Sequence, residues 1–171
     1  MRVNVIEKEV MNPLGESATE KIELADIPKK INEISYFDNT KPNADVILQT
    51  IKENLNISSI NARKPAGAPA TEEQMKEALK GDVVILGLGD CGSCTTWLIL
   101  DALRLEMEGK PTISLCSHKF TNYAKSIAKS HGAEDLRIIE IPHPIADLNE
   151  IKITEKTLKI IPEIKKLLNV T

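Results

Sequence analysis

Five short apolar runs recur along the chain, and each is followed by a stretch with helical spacing. The runs are INEISYF (31–37), ISSINAR (57–63), DVVILGL (82–88), PTISLC (111–116) and LRIIEI (136–141). Between them, helices are expected over 42–54, 71–80, 94–108 and 119–131, and a last helix from about Glu155. Strand runs this apolar, alternating with helices, are buried on both faces, which calls for a parallel sheet with helices on each side. The expected fold is therefore α/β: a single-domain three-layer sandwich with a mainly parallel five-stranded sheet of flavodoxin or Rossmann type. For five parallel strands the order 2-1-3-4-5 is the commoner choice.

Local signals agree with this register. Pro42 and Asn43 open one helix, Thr71 with Gln74 has the spacing of a capping box, and Gly109 and Gly132 stand where helices should stop. Residues 1–30 alternate loosely around Asn12-Pro13-Leu14-Gly15 and read as an N-terminal arm or hairpin. Residues 31–145 form the α/β core and 146–171 the C-terminal helix, all within one domain of 171 residues.

Composition narrows the function classes. The net charge is −3 with basic residues spread along the chain, and aromatics are only 3%. Neither a basic nucleic-acid face nor a base-stacking platform is expected. No apolar run approaches the ~20 residues a membrane helix needs, and MRVNVIEKEVMN lacks the apolar centre of a signal peptide. A cytoplasmic location follows as the expectation. Three cysteines, Cys91, Cys94 and Cys116, do not make a disulfide framework; in a reducing compartment they are buried thiols, metal ligands or catalytic groups.

In an open α/β sheet, ligands bind outside the carboxyl ends of the strands. The loops expected there are FDNTKPN, RKPAGAP, GDCGSCT, CSHKF and PHP. They hold every cysteine and two of the three histidines; the third, His131, stands at a helix end. The stretch GLGDCGSC includes G-x-G-x-x-G at Gly87, Gly89 and Gly92. A dinucleotide is nevertheless disfavoured. That motif belongs to the first βαβ unit, whereas two units precede it here, and the next strand ends Cys116-Ser117-His118 rather than in a ribose-binding acid. No cofactor is expected.

Cys91 and Cys94 fall at the first turn of the predicted third helix, where unpaired N–H groups and the helix dipole favour a thiolate. C-x-x-C spacing lets one sulfur attack and the other resolve the product as a disulfide. Cys91, Cys94, Cys116 and His118 also compose a Cys₃His set, the alternative reading as a zinc or iron–sulfur site. Asn39, Lys41, Asn43, Lys64, Asp90 and Trp97 are candidate substrate contacts, and His143, held between two prolines, is a candidate acid or base. Each has a plainer role open to it: turn, cap, solvated charge or core.

The motif Asp90-Cys91-Gly92-Ser93-Cys94-Thr95, with Trp97 and Asp101 after it, resembles the signature of the UGSC family of (seleno)proteins, in which U is selenocysteine and some members carry cysteine. DNTKPNADVIL (38–48), RKP (63–65), AP (68–69) and PHP (142–144) resemble the family pattern in the same order. The resemblance implies that Cys91 stands at the selenocysteine position as nucleophile and that Cys94 is the resolving thiol. A thiol-dependent redox or covalent enzyme follows as the expectation, of reductase type, acting on a small polar or carboxylate substrate. Its expected partners are that substrate and a thiol reductant or reductase subunit. A non-catalytic subunit is the other alternative, and an arm able to reach a neighbour leaves a homo-oligomer open.

Overall fold

The computed structural model of the chain describes residues 20–170. Five strands form one sheet: β1 (Glu33–Asp38), β2 (Ser58–Arg63), β3 (Val83–Gly89), β4 (Thr112–Ser117) and β5 (Ile138–Ile141). Every adjacent pair is parallel, and the order is β2-β1-β3-β4-β5. The helices are α1 (Ala44–Leu55), α2 (Glu72–Ala78), α3 (Gly92–Met107), α4 (His118–Ser130), α5 (Glu150–Leu158) and α6 (Ile161–Leu168). The α/β class, the parallel five-stranded sheet and the 2-1-3-4-5 order all agree with the sequence reading.

Strand alternation sorts the core into two clusters, one on each face of the sheet. On one face Ile34 and Tyr36 of β1, Val83 and Ile85 of β3, and Ile113 and Leu115 of β4 pack under α1, α5 and α6. On the other, Phe37, Val84, Leu86 and Cys116 pack under α2, α3 and α4. All residues of β3 and β4 are buried. That explains why their sequences are continuously apolar or small instead of alternating with charge.

The local signals also hold. Thr71 and Gln74 make a reciprocal capping box on α2. Gly109 and Gly132 have φ of 75° and 79°. Gly132 is required twice over, because a Cβ there would sit 2.0 Å from the Glu20 carbonyl oxygen.

Two expectations change. The C-terminal segment is two helices rather than one. Asn149 starts α5 earlier than expected by accepting the Lys152 N–H at 3.1 Å, and Pro162, which lacks an N–H, sits in the first turn of α6 after the break. The proposed N-terminal arm or hairpin lies largely outside the described residues, and its remainder, 20–30, forms no helix or strand. That remainder is tied down, with Ile22 N–H donating to Gly132 O at 2.8 Å and Ala25 N–H to the Glu106 carboxylate at 2.8 Å.

The strand order reverses between β1 and β3. The chain leaving β1 turns into α1 on one face, and the chain leaving β3 turns into α3 on the other. In this topology the loops after β1 and β3 diverge, which is where ligands bind in open α/β sheets. Lys41 and Asn43 belong to the loop after β1, and Asp90 and Cys91 to the loop after β3.

Candidate active site

Cys91 is the N-cap of α3. Its extended backbone (φ −159°, ψ 168°) lets the side chain turn back on the helix, and Sγ accepts the Cys94 N–H at 3.2 Å. Sulfur stands here where Ser, Thr, Asp or Asn is usual. Ser93 Oγ lies 3.7 Å from the same sulfur, and nothing crowds Gly92, so the turn is open. Burial pushes the Cys91 thiol up. Hydrogen bonds from the Cys94 thiol, the Cys94 N–H and Ser93, with the charge of Lys41, outweigh this and hold it below the ordinary thiol range.

Cys94 behaves oppositely. It is 1% exposed, its thiol donates to Cys91 O at 3.3 Å, and Sγ accepts the Asp90 N–H at 3.2 Å. Burial, the hydrogen bond with Cys91 and the neighbouring Cys91 charge push it up to about 11. Two thiols in one turn are thus separated into an ionisable one outside and a protonated one inside. Cys116 is fully buried and pushed up to about 12, first by burial and then by Cys94. It packs on Gly89, where an added Cβ would come 2.7 Å from its sulfur and 3.0 Å from Thr95 Oγ1.

The alternative metal set does not assemble. Among the described residues no group of three or more His, Cys, Asp or Glu side chains could hold a metal ion. The reason is local. Cys116 ends in the core cluster under α3 and α4, whereas α4 begins at His118. Strand alternation therefore stops between the two residues, and the His118 ring pairs with Glu140 at 2.6 Å in the open.

The substrate-contact candidates occupy different places. The half-buried Lys41 contributes its charge to the cysteine pair. Asn39 is 1% exposed and spends its amide on β3, accepting Leu88 N–H at 2.7 Å and donating to Leu88 O at 2.9 Å. Asn43 does not cap α1 with its side chain. It donates instead to Ile145 O (2.8 Å) and Leu148 O (3.0 Å), anchoring the loop after β5. Lys64 is buried in an ion pair with Asp101, which also accepts the Ala70 N–H at 3.0 Å. That pair closes the loop after β2 onto α3. Trp97 lines a cavity of about 340 Å³ with Ile22, Pro69, Leu100, Leu103 and Met107. His131 accompanies the C-terminus of α4, its Nδ1 2.9 Å from Ile127 O.

Asp90 and His143 do meet. Asp90 Oδ1 and His143 Nδ1 are 3.4 Å apart, both atoms are buried, and neither has a hydrogen-bond partner. Thr95 Oγ1 and Ser117 Oγ are likewise buried and unpartnered. All four residues lie at or just beyond the carboxyl ends of β3, β4 and β5. One further side chain, Lys156 of α5, reaches the site unannounced by any sequence signal. It donates to Pro142 O at 2.8 Å and Pro144 O at 2.9 Å, bracketing His143.

Solved structures share the architecture. A mutant flavo di-iron protein from Thermotoga maritima matches over 84% of this chain with a TM-score of 0.50 and 14% identity; the match spans 37% of that protein's length. A short-chain flavodoxin associated with a PDU bacterial microcompartment matches over 80% of this chain and 97% of its own, at 12% identity and a TM-score of 0.45. Likeness at the level of the first shows the flavodoxin-like fold and nothing of the chemistry. No curated protein matches the chain significantly. No helix among the described residues is long and apolar enough to cross a membrane. The C-G-S-C turn stands within a stretch, residues 9–170, that matches the family model described as UGSC, and the chain belongs to the UGSC family.

Proposed function

We propose that this protein is a thiol-dependent enzyme in which Cys91 is the nucleophile and Cys94 resolves. The observation that carries the reading is the placement of two thiols in one helical turn: Cys91 caps α3 in an open turn and accepts the Cys94 N–H at 3.2 Å, while Cys94 is buried beneath it. The lowered Cys91 thiol ionises more readily than a free thiol and serves as the nucleophile, and the raised Cys94 thiol keeps its proton until needed.

The chemistry balances as a two-electron reduction. Cys91 thiolate displaces a leaving group X from a small polar substrate R–X, forming an S–R bond, and X departs with a proton supplied by His143. Bond formation removes the Cys91 charge and hydrogen bond that help to raise Cys94, which makes Cys94 easier to ionise. Cys94 thiolate then attacks Cys91 Sγ, forms the disulfide and breaks S–R. R leaves with the bonding electrons and takes up a proton. The sum is R–X plus two thiols to R–H, HX and one disulfide, which a thiol reductant returns to the dithiol. Lys41, beside the pair, suits a carboxylate on the substrate. A cytoplasmic, reducing location agrees with free thiols at this position.

Iodoacetamide trapping against pH tests this directly, with peptide mapping of the adduct. Cys91 should be alkylated selectively, with a midpoint below that of a free thiol. Preferential labelling of Cys94, or a Cys91 rate no faster than that of an unfolded peptide, would overturn the proposal.

A further inference from the structure

Asp90 poses a problem for the thiol reading, because a carboxylate next to the nucleophile opposes its ionisation. Where its side chain lies resolves the problem. Oδ1 faces the His143 ring at 3.4 Å, and neither atom has another partner. Buried polar atoms are seldom left unpaired, and catalytic hydrogen bonds are often long before substrate binds. Closing this gap to a normal N–H···O distance takes only a few tenths of an ångström.

The surroundings limit what else the ring can meet. Lys156 holds the carbonyls on both sides of His143, and Asn43 holds the loop at Ile145 and Leu148. Lys41, on the loop after β1, acts on the cysteine pair through its charge. Nδ1 is buried, so the 30% of the His143 side chain that solvent reaches lies beyond it. Asp90 also touches the thiols through its main chain, donating to Cys94 Sγ at 3.2 Å. One residue thus joins the resolving thiol to the histidine.

We infer that Asp90 is a positioning residue that acts through His143, with Lys156 as the backbone clamp of the same ring. The carboxylate accepts the Nδ1–H, fixes that tautomer, and leaves Nε2 to exchange a proton with the leaving group. This rests on the proposed role of Cys91 and gives Asp90 a place that is not substrate contact.

Two measurements on the whole reduced protein test it. The first is the tautomer of the neutral His143 ring, read from long-range nitrogen–proton NMR correlations and assigned with His143→Gln. The wild-type ring should be Nδ1-protonated. Asp90→Asn and Asp90→Ala should lower the ratio of Nδ1–H to Nε2–H at least about tenfold. Lys156→Met should lower it less, and Lys156→Arg should restore it.

The second measurement compares two probes. In each, Cys91 thiolate attacks one sulfur, the S–S bond breaks, and the other sulfur leaves as a thiolate. Dithiobis-nitrobenzoate releases a stabilised aromatic thiolate that needs no proton, whereas bis(2-hydroxyethyl) disulfide releases an alkyl thiolate that does. Asp90→Asn should lower the alkyl-to-aromatic rate ratio about 10²-fold or more, the range of general acid catalysis. A purely structural role would slow both probes alike. An Nε2–H ring in the wild type, or an unchanged rate ratio in Asp90→Asn, overturns the inference. Unreactive Cys91 with an Asp90-dependent Nδ1–H ring would instead sink the thiol reading and leave the pairing in place.

Discussion

Around β3, β4 and β5, the two ends of the sheet treat buried polar groups in opposite ways. At the amino end, Glu106 is 2% exposed and fully engaged. Its carboxylate accepts Thr112 N–H at 2.6 Å, Thr112 Oγ at 2.7 Å, Arg137 at 3.0 Å and Ala25 N–H at 2.8 Å. The partly exposed Asp82 is also bound, by the N–H groups of Asn32 and Glu33 at 2.7 and 3.2 Å. At the carboxyl end, Asp90, Thr95, Ser117 and His143 each hold a buried atom with no partner. A saturated network fixes structure; an unsaturated one keeps its hydrogen-bonding capacity for something else. Around β3, β4 and β5 the fold is tied at the amino edge and left unsaturated at the carboxyl edge, whereas Asn39 after β1 and the Lys64–Asp101 pair after β2 are engaged.

Four experiments can break or sharpen this contrast. The largest effect belongs to Cys91→Ser, which should abolish selective alkylation near neutral pH while changing stability by less than about 1 kcal/mol. A large loss of stability would place the residue with the structural end. Next comes Glu106→Ala, which leaves Arg137 without its buried partner and should cost about 3–5 kcal/mol by urea unfolding. The Cys91 alkylation rate should not change, and a slowed rate would show that the ends are coupled.

A smaller contrast compares two threonines. Thr112→Val removes a bonded hydroxyl and should cost about 1–2 kcal/mol, whereas Thr95→Val removes an unpartnered one and should stay within about 0.5 kcal/mol or stabilise. Equal costs would erase the distinction between the ends.

The smallest effects are in pH dependence. Cys94 and Cys116 are raised, to about 11 and about 12. Their contribution to stability is complete below the ordinary thiol range and lost as pH climbs through those values. Cys91 is lowered, so its contribution has the opposite sign and disappears as pH falls through its own folded value. Urea midpoints should therefore fall at alkaline pH, and Cys94→Ala should blunt the fall. Lys41→Met should move the alkylation midpoint of Cys91 slightly upward, since its charge is the last of the effects that lower it.

Much of the fold was legible because the sheet's residues report their own surroundings. Val83 to Gly89 and Thr112 to Ser117 are buried on both faces, so their sequences say parallel sheet without any partner being known. The capping box at Thr71 and the positive-φ glycines at 109 and 132 are equally local. The break between α5 and α6 was less legible, because Pro162 is as acceptable in a helix's first turn as it is damaging further in.

The candidate site divides along the same line. Cys91 and Cys94 sit within one turn, so sequence alone placed both at the start of a helix, and the helix end supplies the N–H that tunes them. For the rest, spacing along the chain says nothing about which atom a side chain spends on which partner. Asn39 and Asn43 looked like substrate contacts but hold backbone. Lys64, another candidate substrate contact, is buried against Asp101, while Lys156, without any motif, brackets His143.

By itself, the sequence determined the layered α/β frame, the helix carrying both thiols and the family to which they belong. Only the tertiary structure decided that Asp90 faces His143, that Cys116 is buried while His118 pairs with Glu140 in the open, and that buried polar groups around β3 to β5 are saturated at the amino end but not at the carboxyl end. The first set depends on periodicity and neighbours within a few residues; the second depends on hydrogen-bond partners that are distant in the chain and meet only when the loops converge.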